Sequence, residues 1–269
     1  RYFEVNFTEA LKVLLESNNL YRLTGNTKKQ CGALNLIAII YSDQGRSQKS
    51  FEIYDSIIQI AKRNNDFHRL TITFNNIGAN YFDLKNYEKA GSYYLKAYND
   101  IQKINEPLSE SQYSNNLGGV YTLLGRYDSA LHFLNHGLVL AEKTLNNHRL
   151  SNSHEALGEY YYRLKNYTQA KIHFEKALQF AKQLNVSYEV VSTAGGLSRT
   201  YAAIGDFKNA YELLLLQKQM SDSINNAEVA AYITEIEMEK QFQKERDLNQ
   251  AIANQNSLKR LILAISLLA

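Results

Sequence analysis

The stretch Leu157-Gly158-Glu159-Tyr160-Tyr161-Tyr162-Arg163-Leu164-Lys165-Asn166-Tyr167-Thr168-Gln169-Ala170-Lys171-Ile172-His173-Phe174-Glu175-Lys176-Ala177 decides the fold. Leu157, Gly158 and Tyr161 fall on one face at helical spacing, and so do Tyr167, Ala170, Phe174 and Ala177. Between the two sets sits Lys165-Asn166; Asn tolerates the left-handed backbone that ends a helix. The stretch therefore reads as helix, turn, helix.

The same pattern returns along the chain. Tyr41, Tyr81, Tyr121, Tyr161 and Tyr201 stand 40 residues apart. Ahead of them come Ile77-Gly78, Leu117-Gly118 and Leu157-Gly158, with Ile37-Ala38 and Leu197-Ser198 as variants. Six residues after each Tyr is Tyr87, Tyr127, Tyr167 or Phe207, with Ser47 as the exception. Nine after it is a small residue: Ser50, Ala90, Ala130, Ala170 or Ala210. Thirteen after it is Tyr54, Tyr94, Leu134, Phe174 or Leu214. Ten of the 20 tyrosines fall in three phases of this period, which chance does not produce. The breakers recur too: Gly45, Gly125 and Gly205, with Lys85-Asn86 and Lys165-Asn166 in the other two units. The unit ends are marked by Gly25, Asn65, Asn105, Asn185 and Asn225, with Leu145 as the exception.

Composition narrows the class. A single proline in 269 residues suits long helices and disfavours a sheet protein with frequent turns. One cysteine, Cys31, rules out an intrachain disulfide framework and a cysteine-based zinc cluster; it reads as an inert, partly buried thiol. A net charge of +3, with no dense Lys/Arg cluster, gives no basis for nucleic-acid binding through this segment.

The pattern Leu157-Gly158, Tyr161, Tyr167, Ala170, Phe174, Ala177 resembles the tetratricopeptide repeat (TPR). The usual period is about 34 residues; here it is 40, as in a longer subclass of the family. Leu34, Phe74, Ser114, His154 and Ala194 stand where the family's tryptophan is usual, and the proline at the repeat end is missing. The resemblance implies an all-α fold, a right-handed solenoid of helical hairpins with a concave inner face lined by the first helix of each unit. Units are expected near 31–70, 71–110, 111–150, 151–190 and 191–226, after a partial unit over 1–30 in which Phe7–Asn18 is a second helix. One helical hairpin cannot bury its own apolar face, so stacking on neighbours supplies the core.

After Asn226 the pattern changes. Residues 227–260 contain neither Gly nor Pro and read as one capping or linker helix, about 51 Å long at 1.5 Å per residue. Val229, Tyr232, Ile233 and Ile236 are suited to cap the last repeat; Met238 with Phe242 and Leu248 with Ile252 give a sparse coiled-coil seam for a homodimeric stalk. Residues 261–269 are apolar throughout except Ser266 and read as the start of a transmembrane helix, or as a short packing end. The chain starts at Arg1 and shows no signal segment. The order of repeats, polar helix and apolar run resembles the sensory region of membrane-bound bacterial regulators. That resemblance implies a histidine kinase or DNA-binding output beyond the membrane helix, with the repeats in the periplasm. Lys259-Arg260 argues instead for the cytoplasm. A soluble cytoplasmic TPR scaffold is the alternative.

Signals for catalysis are poor, and the segment is read as a non-enzyme that needs no cofactor and holds no metal. His132 and His136 are spaced i, i+4, but no Glu follows His132 as a metalloprotease motif requires, and they read as a solvated pair on the convex side. Gly118-Gly119 and Gly195-Gly196 lie inside helices, where small size aids packing. The informative polar set repeats: Asn75-Asn76 and Asn115-Asn116 share a phase, and Asn35 holds the first position in the unit before. An amide offers two donors and an acceptor, which suits an extended peptide backbone. In TPR proteins with an asparagine ladder, such as the O-linked N-acetylglucosamine transferases, residues matching Asn76 and Asn116 bind peptide in this way. In the later units Ala156 and Gly196 replace Asn, and Asn152, Glu155, Glu159, Tyr162, Arg163 and Arg199 are expected to line the groove. The expected partner is a peptide or protein segment in that concave groove.

Overall fold

The computed structural model describes residues 2–184 and 187–222, with side chains from residue 9 onward except Ser187. The helices are α1 (Tyr2–Leu23), α2 (Thr27–Asp43), α3 (Ser47–Arg63), α4 (Phe67–Asp83), α5 (Tyr87–Ile101), α6 (Pro107–Leu123), α7 (Tyr127–Thr144), α8 (Asn147–Arg163), α9 (Tyr167–Leu184) and α10 (Ser187–Ala203). A further helix, α11, spans 207–222. The described residues contain no strand. The fold is an all-α superhelix of helical hairpins, as the resemblance implies. The first helices α2, α4, α6, α8 and α10 begin at residues 27, 67, 107, 147 and 187, and the second helices α3, α5, α7, α9 and α11 begin 20 residues after each. The first helices thus start four residues ahead of the unit origins read from the tyrosine phase, because capping residues, not buried ones, set a helix start.

Each hairpin is closed by one residue at positive φ. Gly25, Gly45, Asn65, Lys85, Asn105, Gly125, Leu145, Lys165 and Gly205 all lie there, at multiples of 20 residues from one another. At Gly25, Gly45, Asn65, Lys85, Gly125, Lys165 and Gly205 the closure is a Schellman turn. The amide of Arg46 donates to the carbonyl of Tyr41 at 2.8 Å and that of Gly45 to Ser42 at 2.8 Å. The same pair of bonds recurs from Asn86 to Tyr81, Arg126 to Tyr121, Asn166 to Tyr161 and Asp206 to Tyr201. The repeating tyrosine thus occupies the position whose carbonyl completes the turn. In the Lys-Asn breakers it is the lysine that is left-handed; Asn86 and Asn166 instead cap the next helix, accepting from the amides of Lys89 and Gln169, each at 3.2 Å. Leu145 is no exception after all: it adopts φ +50° and stays 82% exposed. Geometry, more than residue type, holds the interval.

The core is a string of small clusters, each shared between a second helix and the first helices on either side. Ala90, Tyr94 and Ile101 of α5 pack with Tyr113, Leu117 and Val120 of α6. Phe174 and Leu178 of α9 pack with Val190, Ala194 and Leu197 of α10. Full burial of such a side chain contributes about 1.5–3 kcal/mol. The Leu-Gly signature has a steric cause. A Cβ on Gly78 would sit 2.6 Å from the Tyr94 ring, one on Gly118 2.6 Å from Leu134, and one on Gly158 2.8 Å from Phe174. Each glycine is the socket for the large side chain sixteen residues on. Cys31 is fully buried, not partly, and burial pushes its thiol pKa up. Leu214 has the buried phase but is 51% exposed; α11 is the last helix of the described residues.

Within α8 and α9, His154 and His173 face each other, Nδ1 to Nδ1 at 3.1 Å. His154 is buried and stacks on Phe180, and His173 stacks on Tyr161. Burial, then the charges of His173 and Lys176, lower the His154 pKa to about 4. His173 is lowered too, by burial and Lys176.

Leu145→Gly removes the left-handed strain of a side chain that packs on little, and is expected to raise stability by about 0.5–1 kcal/mol in denaturant melts. Between pH 6.5 and about 4 the unfolded chain binds a proton at His154 that the folded chain does not. Stability contributed by neutral His154 is therefore present above pH 6.5 and lost as pH falls through that window. The melting temperature of His154→Gln is expected to depend less on pH between 7 and 5 than that of the parent chain. Comparing the two curves removes the opposite contribution of the carboxyls of Asp43, Asp83 and Glu155, whose pKa values burial raises.

Candidate functional site

The first helices contact one another along the inner layer, α2 with α4, α6 with α8 and α8 with α10. Polar rungs cross this layer. Asn76 donates through Nδ2 to Asn35 Oδ1 at 2.7 Å, and Asn116 donates to Asn75 Oδ1 at 2.8 Å. Asn75 Nδ2 reaches Asn76 Oδ1 at 3.4 Å, which links the two rungs. Asn115 donates to Ser153 Oγ at 2.8 Å. The asparagine ladder is therefore engaged between repeats. Asn75 and Asn115 are largely buried, and of the two only Asn115 reaches the groove between α6, α8 and α10.

Toward α10 the rungs change chemistry. Glu155 accepts from Ser192 Oγ and, at 3.4 Å, from Thr193 Oγ1. Glu159 is held from both sides, by Arg163 Nε at 2.9 Å and by Arg199 Nη2 at 3.1 Å. Arg199 also lies over the Tyr162 ring, 5.2 Å from its centroid. Here the layer opens into a groove of about 700 Å³ between α6, α8 and α10. Asn115, Asn116, Asn152, Glu155, Glu159, Arg163 and Arg199 line it. Asn35, Asn75 and Asn76 do not, and Tyr162 lies under Arg199 without lining the groove. Gly119 is on the wall with no atom within 4 Å of where its Cβ would be, so it leaves space instead of aiding packing.

Sequence reasoning missed His148, Tyr188, Glu189 and Ser192, which also line the groove. Glu189 had a legible signal: its phase carries Arg69 and Arg149 in earlier units, so the charge reverses. It is only 5% exposed. His148 Nδ1 lies against its Oε1 without the alignment of a hydrogen bond, and Oε2 has no partner among the described residues. Burial pushes the Glu155 carboxyl pKa up; the two hydroxyls pull it back, and the carboxylates of Glu189 and Glu159 add to the rise. His136 is not the solvated member of a pair. It meets Glu110 Oε1 at 2.8 Å, while His132 is exposed against Phe133. Among the described residues, no group of three or more His, Cys, Asp or Glu is placed to hold a metal.

The tetratricopeptide repeat family pattern matches residues 69–143 and 149–215, more than half of the chain. The chain belongs to the tetratricopeptide repeat family. Among solved structures this TPR chain is similar to BtubC (BKLC) from P. vanneervenii, with 19% identity over 83% of this chain and 92% of that one, at a TM-score of 0.68. It is similar to the Rap conjugation gene regulator of the plasmid pLS20, in complex with a Phr peptide, with 17% identity over 84% of this chain and 60% of that one, at a TM-score of 0.66. It is also similar to the apo form of the quorum sensor NprR from B. thuringiensis, with 17% identity over 78% of this chain and 59% of that one, at a TM-score of 0.66. At these identities the likeness is one of fold. None of the curated proteins matches the chain in sequence. No described helix is long and apolar enough to cross a membrane; the linker helix, its coiled-coil seam and the apolar run at 261–269 lie outside the described residues.

Because Asn76 bridges two repeats, Asn76→Ala is expected to lower stability by about 0.5–1.5 kcal/mol in chemical denaturation. A variant as stable as the parent would show that the rung contributes nothing.

Proposed function

We propose that this TPR array binds an extended peptide or protein segment along its inner face, with the groove between α6, α8 and α10 carrying the specificity. The observation that carries this reading is the change along one face. From α2 to α6 the amides close on one another, and beyond α6 small residues and charged side chains leave a lined groove. A polar wall of amides, carboxylates and guanidinium groups suits a peptide, whose backbone offers donors and acceptors at every residue. The peptide held by the Rap regulator, on a similar fold, supports the reading.

We further propose that the array is the sensory part of a membrane-anchored bacterial signalling or transcription regulator. The polar segment 227–260 followed by the apolar run 261–269 supports this. Ligand binding then biases a downstream output by shifting the repeats or the segment that follows them.

Gly119 provides the test. Gly119→Ala is expected to raise stability by up to about 1 kcal/mol through helix propensity, since nothing crowds the new methyl. Gly119→Trp fills the groove and is expected to weaken capture of peptides selected from a random hexapeptide pool by about tenfold or more, with the melting temperature unchanged or raised. Equal capture by the Trp variant would place binding elsewhere.

A further inference from the structure

Glu189 is an oddity within the groove. A carboxylate taken out of water is costly unless it is paired and hydrogen-bonded. Among the described residues one oxygen has no partner, and the other touches only the half-exposed His148 ring. Glu155 stands beside it on α8 and receives only the hydroxyls of Ser192 and Thr193. Two of the nearby arginines are engaged. Arg163 and Arg199 both hold Glu159. Arg149 is half-buried and feels the charge of Glu189, but among the described residues no Lys or Arg nitrogen comes within salt-bridge distance of Glu155 or Glu189. Two carboxylates thus share the polar end of a groove that has open space at Gly119.

We infer that the groove selects a peptide carrying a cationic group, a lysine or arginine side chain or a free amino terminus, which seats against the carboxylates of Glu155 and Glu189. The inference rests on the reading of the groove as a peptide site. An incoming ammonium or guanidinium supplies the donors that Glu189 lacks and offsets the repulsion between the two carboxylates. Such charge-assisted bonds are about twice as strong as neutral ones. The rest of the peptide runs past Asn116 and Asn152, whose amides line the same wall.

The test uses the whole 269-residue chain and a synthetic random hexapeptide library, made once with free and once with acetylated amino termini. Peptides are selected on the parent protein, on Glu155→Gln with Glu189→Gln, and on Glu155→Gln alone in case the double variant folds poorly by circular dichroism. The parent is expected to enrich Lys or Arg at one position in the acetylated library. If the cation is the terminus itself, enrichment appears only in the free-amine library. The variants are expected to lose that preference, to bind the selected peptides about tenfold or more weakly, and to melt no lower than the parent, because neutral amides relieve the crowding. Peptides enriched without a cationic preference would overturn this inference and leave the proposed groove standing. No enrichment of any peptide would overturn both.

Discussion

The structure depends on a turn that returns, among the described residues, at multiples of 20 residues. A helix can reverse on three residues when one of them goes left-handed, and at most of these turns two amides reach back to the carbonyls of the helix just ended. Once that happens at equal intervals, each first helix comes back to the same place beside its neighbour. The large side chain sixteen residues after each Leu-Gly glycine then meets its socket in register. Tyr94 on Gly78, Leu134 on Gly118 and Phe174 on Gly158 are three copies of one contact. The packing tolerates Tyr, Leu or Phe because the interval, not the shape of one side chain, brings the surfaces together.

The two faces of the array are held differently. Between second and first helices the contacts are mainly apolar, with a few buried polar bonds such as Ser151 Oγ to the Ala177 carbonyl. Between successive first helices they are polar rungs, amide to amide at the start and hydroxyl to carboxylate or arginine to carboxylate at the end. A polar inner layer can exchange its partners for those of a ligand, whereas an apolar layer cannot do so without exposing its core. The apolar layer can therefore stay packed while the polar inner layer rearranges. The end where rungs are charged and unevenly satisfied is where that exchange has most to gain.

Much of this was legible in residue order. The tyrosine, glycine and alanine phases identify helical hairpins, and most of the charged groove residues follow from projecting those phases onto one face. What stayed hidden has a common cause. The Asn76 and Asn116 amides look free because a sequence shows donors without their acceptors, and the acceptors, Asn35 and Asn75, sit 41 residues away. Leu145 looked like an interruption because residue type was taken for geometry. Gly119 looked like packing, though its neighbour Gly118 is the packed one and Gly119 faces the opening.

The sequence by itself determined the repeat, its length, the helical character of each half and the identity of the small residues that permit close approach. These are properties of spacing, and spacing along a helix fixes which side chains share a face. Only the tertiary structure decided which inner-face groups are satisfied and which are left over. That depends on distances between separate helices, and the same asparagine becomes a rung or a ligand contact according to whether the next repeat brings an acceptor within about 3 Å. Glu189 shows the same limit. Its charge is plain in the sequence, but its burial without a full set of partners arises only when α8 and α10 close around it.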